Sequence, residues 1–428
     1  MCLPNMQHSK NKKDSSDILA LLVGGGPAPG INGVISAATI EAINRGKKVI
    51  GIIDGFKWIA QGDKTHIRKL TIEDTSRIHI TGGSIIGISR ESPLTSPERM
   101  KNTIKVLREL GVRYLITIGG DGTMFLAHRV EEEAKRKIKV AHIPKTIDND
   151  LPLPDYIPTF GFETARHLGT ITVQYLMEDA KTTGRWYLVT TMGRKTGHLA
   201  LGIGKASGAT LTVIPEEFGR GKVSLARMIA VLEGAIIKRL SMGREDGVAI
   251  LAEGLIEKLH QEELEILEDL DRDELGRIRL SEVDLGKLLK DETKKRLLEK
   301  GIKARIVDKS IGYELRSAPP IPFDAKYARD LGYCAVKFLL EGDTGAMISI
   351  QTGKMVPIFF SEILDPETGA MRIRYVDIRT EAYEVPDKYM IRLKREDFED
   401  PKQLRKLART ANMKPQEFVE YFSKAVRG

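Results

Sequence analysis

Tyr114-Leu115-Ile116-Thr117-Ile118-Gly119-Gly120-Asp121-Gly122-Thr123 is an apolar, strand-like run that ends in a glycine-rich turn. The pattern returns in Val140–Ile143, which leads into Pro144-Lys145-Thr146-Ile147-Asp148-Asn149-Asp150. In an open α/β sheet the carboxyl ends of such strands are where ligands bind. The glycines leave bare backbone N–H groups room to approach a phosphate. Asp121 offers a hard oxygen to Mg2+, and Asp148 and Asp150 offer a base with a neighbour to tune it. The turn and the acid pair together point to phosphoryl transfer.

Working outward, strand, turn and helix patterns alternate on both sides. Ile18–Val23 ends in Gly24-Gly25-Gly26-Pro27-Ala28-Pro29-Gly30, a helix is expected over 32–44, and Val49–Ile53 is the next strand. Helices over 97–110 and 124–135 flank the two strands quoted above. A second block has helices over 163–179, 198–207 and 224–240, with strands over 186–190, 211–214 and 247–252. Such alternation predicts parallel sheets. The expected fold class is therefore α/β, with two Rossmann-like lobes of mostly parallel sheet sandwiched by helices. Residues 257–309 are dense in charge with leucine interleaved, which predicts solvent-facing helices with one apolar stripe. A helix over 325–340 and a strand over 347–350 follow, and two short exposed helices are expected from Arg395.

Composition narrows the class without naming a chemistry. The 428 residues suffice for two or three cores, and 67 basic against 59 acidic residues leave a thin excess of +8. Without aromatic-basic interleaving, that excess predicts anionic small substrates or plain surface charge, and no nucleic-acid partner. Cys2 and Cys334 cannot build a disulfide framework or a zinc site, so both read as reduced thiols. Residues 1–16, MCLPNMQHSKNKKDSS, lack a signal-peptide apolar run and are expected to form a disordered tail. No apolar stretch reaches membrane-spanning length, so a soluble cytoplasmic protein is expected.

Two familiar phosphate motifs fail. Gly24–Gly30 does not keep G-x-G-x-x-G spacing and reads equally as a tight strand–helix turn or a phosphate-binding turn. Gly193-Arg194-Lys195-Thr196 lacks the upstream glycine and the Gly-Lys order of a P-loop. What the chain resembles, in the order and spacing of five motifs, is the phosphofructokinase family. The motifs are the first glycine-rich turn, Gly119–Thr123, Pro144–Asp150, Met192-Gly193-Arg194 and Gly312-Tyr313-Glu314-Leu315-Arg316. The likeness covers about residues 17–360 and is nearest to the pyrophosphate-type branch. It implies a donor-binding lobe over 17–160, with part of 323–360 returning to it. It also implies a fructose 6-phosphate lobe over 161–322 and leaves 361–428 as an extension.

The resemblance also implies roles. Asp148 would take the proton of the sugar's 1-hydroxyl, with Asp150 supporting it, and Asp121 would bind Mg2+. Gly26, Gly120, Gly122 and Thr123 would line the donor phosphates, and Arg90 would pair with them. Thr146 would lie near the reacting end. Met192, Gly193 and Arg194 would contact the sugar phosphate, with Arg194 also stabilising transition-state charge. Glu253 would accept hydrogen bonds from sugar hydroxyls, and Tyr313 and Arg316 would hold the 6-phosphate. Arg185 would reach the substrate of a neighbouring subunit, in a homo-oligomer expected to be a dimer or tetramer. A basic residue is also expected ahead of Gly312, where Arg305 and Lys309 both lie nearby. His198 could lie near the site, although a histidine at a helix start is common.

Two residues pull the donor in opposite directions. Pyrophosphate-type enzymes usually carry an aspartate after Asp121, and its charge repels an ATP α-phosphate. Gly122 leaves that space open. Lys145 matches the pyrophosphate branch, where the ammonium supports the leaving phosphate. Because a lysine need not exclude a third phosphate, ATP is the expected donor, with pyrophosphate as the alternative. NAD or lipid kinases share Gly-Gly-Asp-Gly-Thr, but the acid pair and Met192-Gly193-Arg194 argue against them. A non-catalytic nucleotide sensor would not need the base, metal acid and substrate arginines together.

Overall fold

The computed structural model describes residues 17–264 and 283–426. The expected N-terminal tail, Cys2 and the middle of the charged 257–309 segment lie outside the described residues. In chain order the strands are β1 (Ile18–Val23), β2 (Lys48–Ile52), β3 (Ile67–Leu70), β4 (Val112–Gly119), β5 (Lys139–Thr146), β6 (Phe160–Gly161), β7 (Trp186–Thr191), β8 (Leu211–Val213), β9 (Gly247–Ala252), β10 (Ile306–Ile311), β11 (Ala346–Gln351) and β12 (Lys354–Phe359). The chain divides into two compact units. One runs up to Thr146 and takes in Pro319–Arg372, and the other comprises Ile147–Ala318 and the chain from Ile373.

In the first unit the strand order is β12-β11-β5-β4-β1-β2-β3. The inner pairs are parallel, whereas the two edges, β12 on β11 and β3 on β2, are antiparallel. Leu19 to Val23 are 0% exposed, as a strand must be when both sheet faces are covered. Part of that cover is the helix Ile31–Asn44 packed on the helix Pro322–Glu341. Small residues let the two approach: a Cβ on Gly332 would stand 2.6 Å from the Val34 carbonyl oxygen. The chain leaves β1 for β2 on one side and returns to β4 on the other. The carboxyl ends of β1 and β4 therefore flank a topological switch point, where open sheets leave a crevice for ligands.

The second unit holds the all-parallel order β10-β7-β9-β8. Its register aligns Ile311 with Thr191 and Thr191 with Ala252, so three strands end level with one another. At the other end Trp186, 1% exposed, lies against Gly247, where a Cβ would sit 2.6 Å from the indole. Deleting a buried ring of this size typically costs about 3–5 kcal/mol.

The α/β expectation holds, while three edge strands and the chain's end depart from the sequence reading. β3, β10 and β12 were not anticipated, and β10 falls inside the segment read as charged helices. Its burial alternates little, with only Ile306 and Ile311 buried at its ends, because it is an edge strand with solvent on it. Its polar centre, Asp308-Lys309-Ser310, interrupts the apolar run that would have revealed it. Within the same segment Leu285–Glu299 is the expected striped helix, burying Leu285, Leu288, Leu289 and Leu297. Among the described residues the end of the chain forms the α-helices Arg395–Glu399, Pro401–Thr410 and Pro415–Phe422, rather than two exposed ones. Phe418 and Phe422 are fully buried, and Tyr421 donates to the buried Glu233 at 2.9 Å, which Lys300 also meets at 2.9 Å. No helix among the described residues is long and apolar enough to cross a membrane.

Candidate active site

In the first unit, candidate residues gather at the switch point of the larger sheet. Gly24 donates its N–H to the Ile118 carbonyl at 2.9 Å, which ties the turn after β1 to the end of β4. Thr123, 6% exposed, wedges between them. A Cβ on Gly119 would stand 2.3 Å from Thr123 Cβ, and one on Gly24 would stand 2.5 Å from Thr123 Oγ1. Glycine is thus required at both strand ends by close packing. The helix Asp121–Glu133 starts at once, with Gly120 as its cap. Its first N–H groups and positive dipole end favour an anion at the turn. Arg90 is exposed and follows Ser89, which bridges to Gly24 and accepts the Gly25 N–H at 2.9 Å.

Lys145, at the end of β5, is 3% exposed, and its Nζ donates to the Gly26 carbonyl. The ammonium is thereby held behind the glycine turn. Nothing lies within 4 Å of a Cβ on Gly122, so the space that a second aspartate would fill is open. His142 supports the same turn and was not singled out in the sequence. Its ring is fully buried, with Nε2 3.0 Å from the Gly119 carbonyl and Nδ1 2.9 Å from Thr117 Oγ1. A carbonyl can only accept, so Nε2 carries the proton and Nδ1 accepts from the threonine. Burial, with Lys145's charge adding to it, pushes this histidine down to about 3. Nothing local marks it, because one histidine inside an apolar strand looks like any other.

Among the described residues no cluster of three or more His, Cys, Asp or Glu side chains could hold a metal ion. Mg2+ in phosphoryl transfer takes one or two carboxylates and completes its shell with water and substrate phosphates, so it does not need such a cluster. Asp121, partly buried at the helix start, has the hard oxygen this arrangement needs.

In the second unit, candidate residues gather where β10, β7 and β9 end level. Met192 follows β7 and donates its N–H to the Ile311 carbonyl at 3.3 Å. Glu253 follows β9, and its Oε1 accepts the N–H groups of Gly193 at 3.2 Å and Arg194 at 2.7 Å. Arg194 has φ 48°, a left-handed conformation that a non-glycine residue adopts only where the surroundings enforce it. Gly312 follows β10, with room only for hydrogen, since a Cβ would stand 2.4 Å from Met192 Cγ. It opens the helix Tyr313–Ser317, on which the Arg316 guanidinium lies 4.6 Å from the Tyr313 ring centre. Tyr313 is 71% exposed, free to meet a ligand.

The fold therefore gathers Met192, Gly193, Arg194, Glu253, Tyr313 and Arg316 at one sheet end. Arg185 is not among them. It precedes β7, roughly 20 Å of strand away from Met192, and lies 3.9 Å from Asp179. Arg305 likewise sits at the amino end of β10, and Lys309 lies within the strand. His198 starts its helix with Nε2 3.1 Å from the Arg374 carbonyl, and burial pushes it down to about 4.

The acid loop belongs to the second unit. Asp148, Asn149 and Asp150 are 8%, 9% and 6% exposed. Thr196 donates to the Asp148 carbonyl at 3.3 Å, which links this loop to the turn after Arg194. Arg374, a residue sequence reasoning passed over, holds much of its backbone. The guanidinium is buried and donates to the carbonyls of Asn149, Leu153, Pro154 and Ile157. The stretch Met371-Arg372-Ile373-Arg374-Tyr375 carries no pattern that could have flagged it.

Known proteins resemble this chain in sequence and in fold. A family profile described as Phosphofructokinase matches residues 18–339. The pyrophosphate–fructose 6-phosphate 1-phosphotransferase of Thermotoga maritima is 54% identical, over 94% of this chain and 97% of that protein. A protein of the same name from Naegleria fowleri is 47% identical over 96% of both chains. The solved pyrophosphate-dependent phosphofructokinase of Nitrosospira multiformis superimposes with a TM-score of 0.66 at 17% identity, covering 87% of this chain and 91% of that one. The last shows likeness of fold alone.

These relatives overturn the expectation that ATP is the donor, since the near-full-length ones at 54% and 47% identity are named for pyrophosphate. The physical reason is that Gly122 is a missing obstacle, not a contact. An open space admits a larger donor without giving it any binding energy, so the inference from Gly122 was weak and Lys145 was the better guide. The profile runs from the first strand of one sheet through the last strand of the other, and NAD and lipid kinases are set aside with it. The chain belongs to the phosphofructokinase family.

Proposed function

We propose that the protein is a pyrophosphate-dependent fructose 6-phosphate 1-phosphotransferase that forms fructose 1,6-bisphosphate and phosphate, reversibly. The observation that carries this reading is the near-full-length identity to two relatives bearing that activity in their names. In the proposed reaction the donor's phosphates lie on the N–H groups of Gly26, Gly120, Gly122 and Thr123, with Arg90 pairing with them. The Lys145 ammonium stands beside the phosphate that leaves. Asp121 would hold Mg2+, which when bound neutralises charge on the donor's phosphoryl oxygens.

The acceptor's 6-phosphate is held by Tyr313 and Arg316, the latter in the fork geometry suited to phosphate oxygens. Glu253 shapes the Met192–Arg194 turn through two backbone N–H groups and offers its other oxygen to a sugar hydroxyl. Thr146 lies near the reacting end. Asp148, supported by Asp150, takes the proton from the 1-hydroxyl as its oxygen bonds to the terminal phosphorus. The bond from that phosphorus to the bridging oxygen breaks, and phosphate departs. Arg194 stabilises the charge that spreads over the transferred group.

A homo-oligomer belongs to the same reading. Arg185, at the far end of β7 from its own Arg194, suits a role toward a neighbouring subunit. The test is fructose 1,6-bisphosphate formation with Mg2+ and fructose 6-phosphate, comparing pyrophosphate and ATP by kcat/KM. Pyrophosphate should win, and the reverse reaction should make pyrophosphate from phosphate and the bisphosphate. Equal or greater use of ATP would refute the donor assignment. A monomer with full activity in light scattering would refute the oligomer.

A further inference from the structure

The acid loop has little regular structure of its own between Asp148 and Thr159, so its carbonyls need donors from elsewhere. Arg374 supplies them from outside the region matched by the family profile. Its Nε donates to the Asn149 carbonyl at 3.1 Å, and its Nη1 reaches the carbonyls of Leu153, Pro154 and Ile157 at 3.1, 3.0 and 2.9 Å. Its Nη2 donates to Asn149 Oδ1, which also accepts the Thr159 N–H at 3.0 Å. The Arg374 main-chain N–H donates to the Asp150 carbonyl at 2.8 Å.

The centre of this clamp is Asn149, at φ 58°. A left-handed residue turns the backbone sharply, so its conformation bears on the direction of its neighbours, Asp148 and Asp150. The segment continues from the loop to the other turn of the site. The Val376 N–H donates to Glu216 Oε1 at 3.1 Å, and the same oxygen accepts the Gly197 N–H at 3.0 Å, three residues after Arg194. One stretch, 374–376, thus fixes both the acid loop and the end of the Met192–Arg194 turn.

We propose that Arg374 is a positioning residue for phosphoryl transfer: its guanidinium fixes the backbone of residues 149–157 and with it the aim of the Asp148 and Asp150 carboxylates. The inference rests on the role given above to Asp148. It predicts an effect on turnover more than on binding, because misplacing a reacting group by about 1 Å can cost about 10²-fold in rate. Lysine keeps the charge but replaces a planar fork of five donors with three on a flexible stem, so it cannot span the same carbonyls.

The test uses the full chain and R374K. With pyrophosphate, fructose 6-phosphate and Mg2+, kcat should fall about 10²-fold while both KM values stay within about threefold. Amide hydrogen exchange should speed up across 148–158 and stay unchanged in the helices Phe162–Thr183 and Leu225–Ser241. R374A should regain part of its turnover when millimolar guanidinium is added. A kcat within twofold of the parent, a loss in KM alone, or protection lost evenly across the unit would overturn the proposal. If R374K does not fold, N149G decides. It removes the side-chain partner of the clamp, leaves Arg374 in place and suits the left-handed backbone. The same loss confined to kcat is expected, and near-parent kcat overturns the idea. If the parent itself fails to use pyrophosphate with fructose 6-phosphate, the functional reading falls, and the exchange comparison alone decides the positioning role.

Discussion

His142 gives the glycine turn a built-in sensitivity to acid. It is fully buried beneath Gly119 as the neutral ring and titrates at about 3, against an ordinary value of 6.5. The unfolded chain binds a proton at this residue throughout that interval and the folded one does not. The folded state therefore holds its full advantage above 6.5 and loses it as pH falls, by about 1.4 kcal/mol per unit, until about 3. At pH 5 the loss is 6.5 minus 5 units, or about 2 kcal/mol, which is large against a total of about 5–15 kcal/mol. The assay is urea unfolding of the parent and H142Q at pH 7.5, 6 and 5. Glutamine can donate to the Gly119 carbonyl and accept from Thr117 but does not titrate. H142Q should begin less stable by about 1–3 kcal/mol, for imperfect replacement of the two bonds. The gap between the two proteins should then close by about 2 kcal/mol at pH 5. Subtracting the two curves removes His198, which burial holds at about 4 and which loses stability in the same direction in the other unit. A gap that stays constant from pH 7.5 to 5 would refute the argument, since it would mean that the ring is not held neutral by the fold.

Further outcomes test the site directly. D148N should fold normally and lose about 10²–10⁴ in kcat, and near-parent turnover would show that another group takes the proton. R316A should raise the KM for fructose 6-phosphate about 10–100-fold, the worth of a charge-assisted hydrogen bond, with little change in kcat, and a pure kcat effect would refute its role as a clamp. G119A should be strongly destabilised, because its methyl would meet Thr123 Cβ at 2.3 Å, whereas G122A meets nothing within 4 Å and should raise the melting temperature through helix propensity. Equal melting temperatures for the two would contradict the packing described.

The sequence by itself determined the α/β class, the order of the inner strands' motifs and membership of the phosphofructokinase family. Those features depend on short-range signals. Buried parallel strands such as β1 and β4 are continuous apolar runs, and the turns that follow them need glycine next to acid within a few residues. The features left to the tertiary structure depend on partners far apart in the chain. β10 has a polar centre, Asp308-Lys309-Ser310, and becomes a strand only because β7 presents a free edge to it. The final helices bury Phe418 and Phe422 only because earlier helices of the unit offer them a face. His142 is one histidine in an apolar run until Thr117 and Gly119 of the neighbouring strand bracket its ring. Arg374 lies more than two hundred residues from the loop it holds, and no local pattern can report a hydrogen bond across that separation. The donor shows a different limit. Gly122 removes an obstacle and Lys145 adds a charge, and a missing repulsion is not evidence of a bound group.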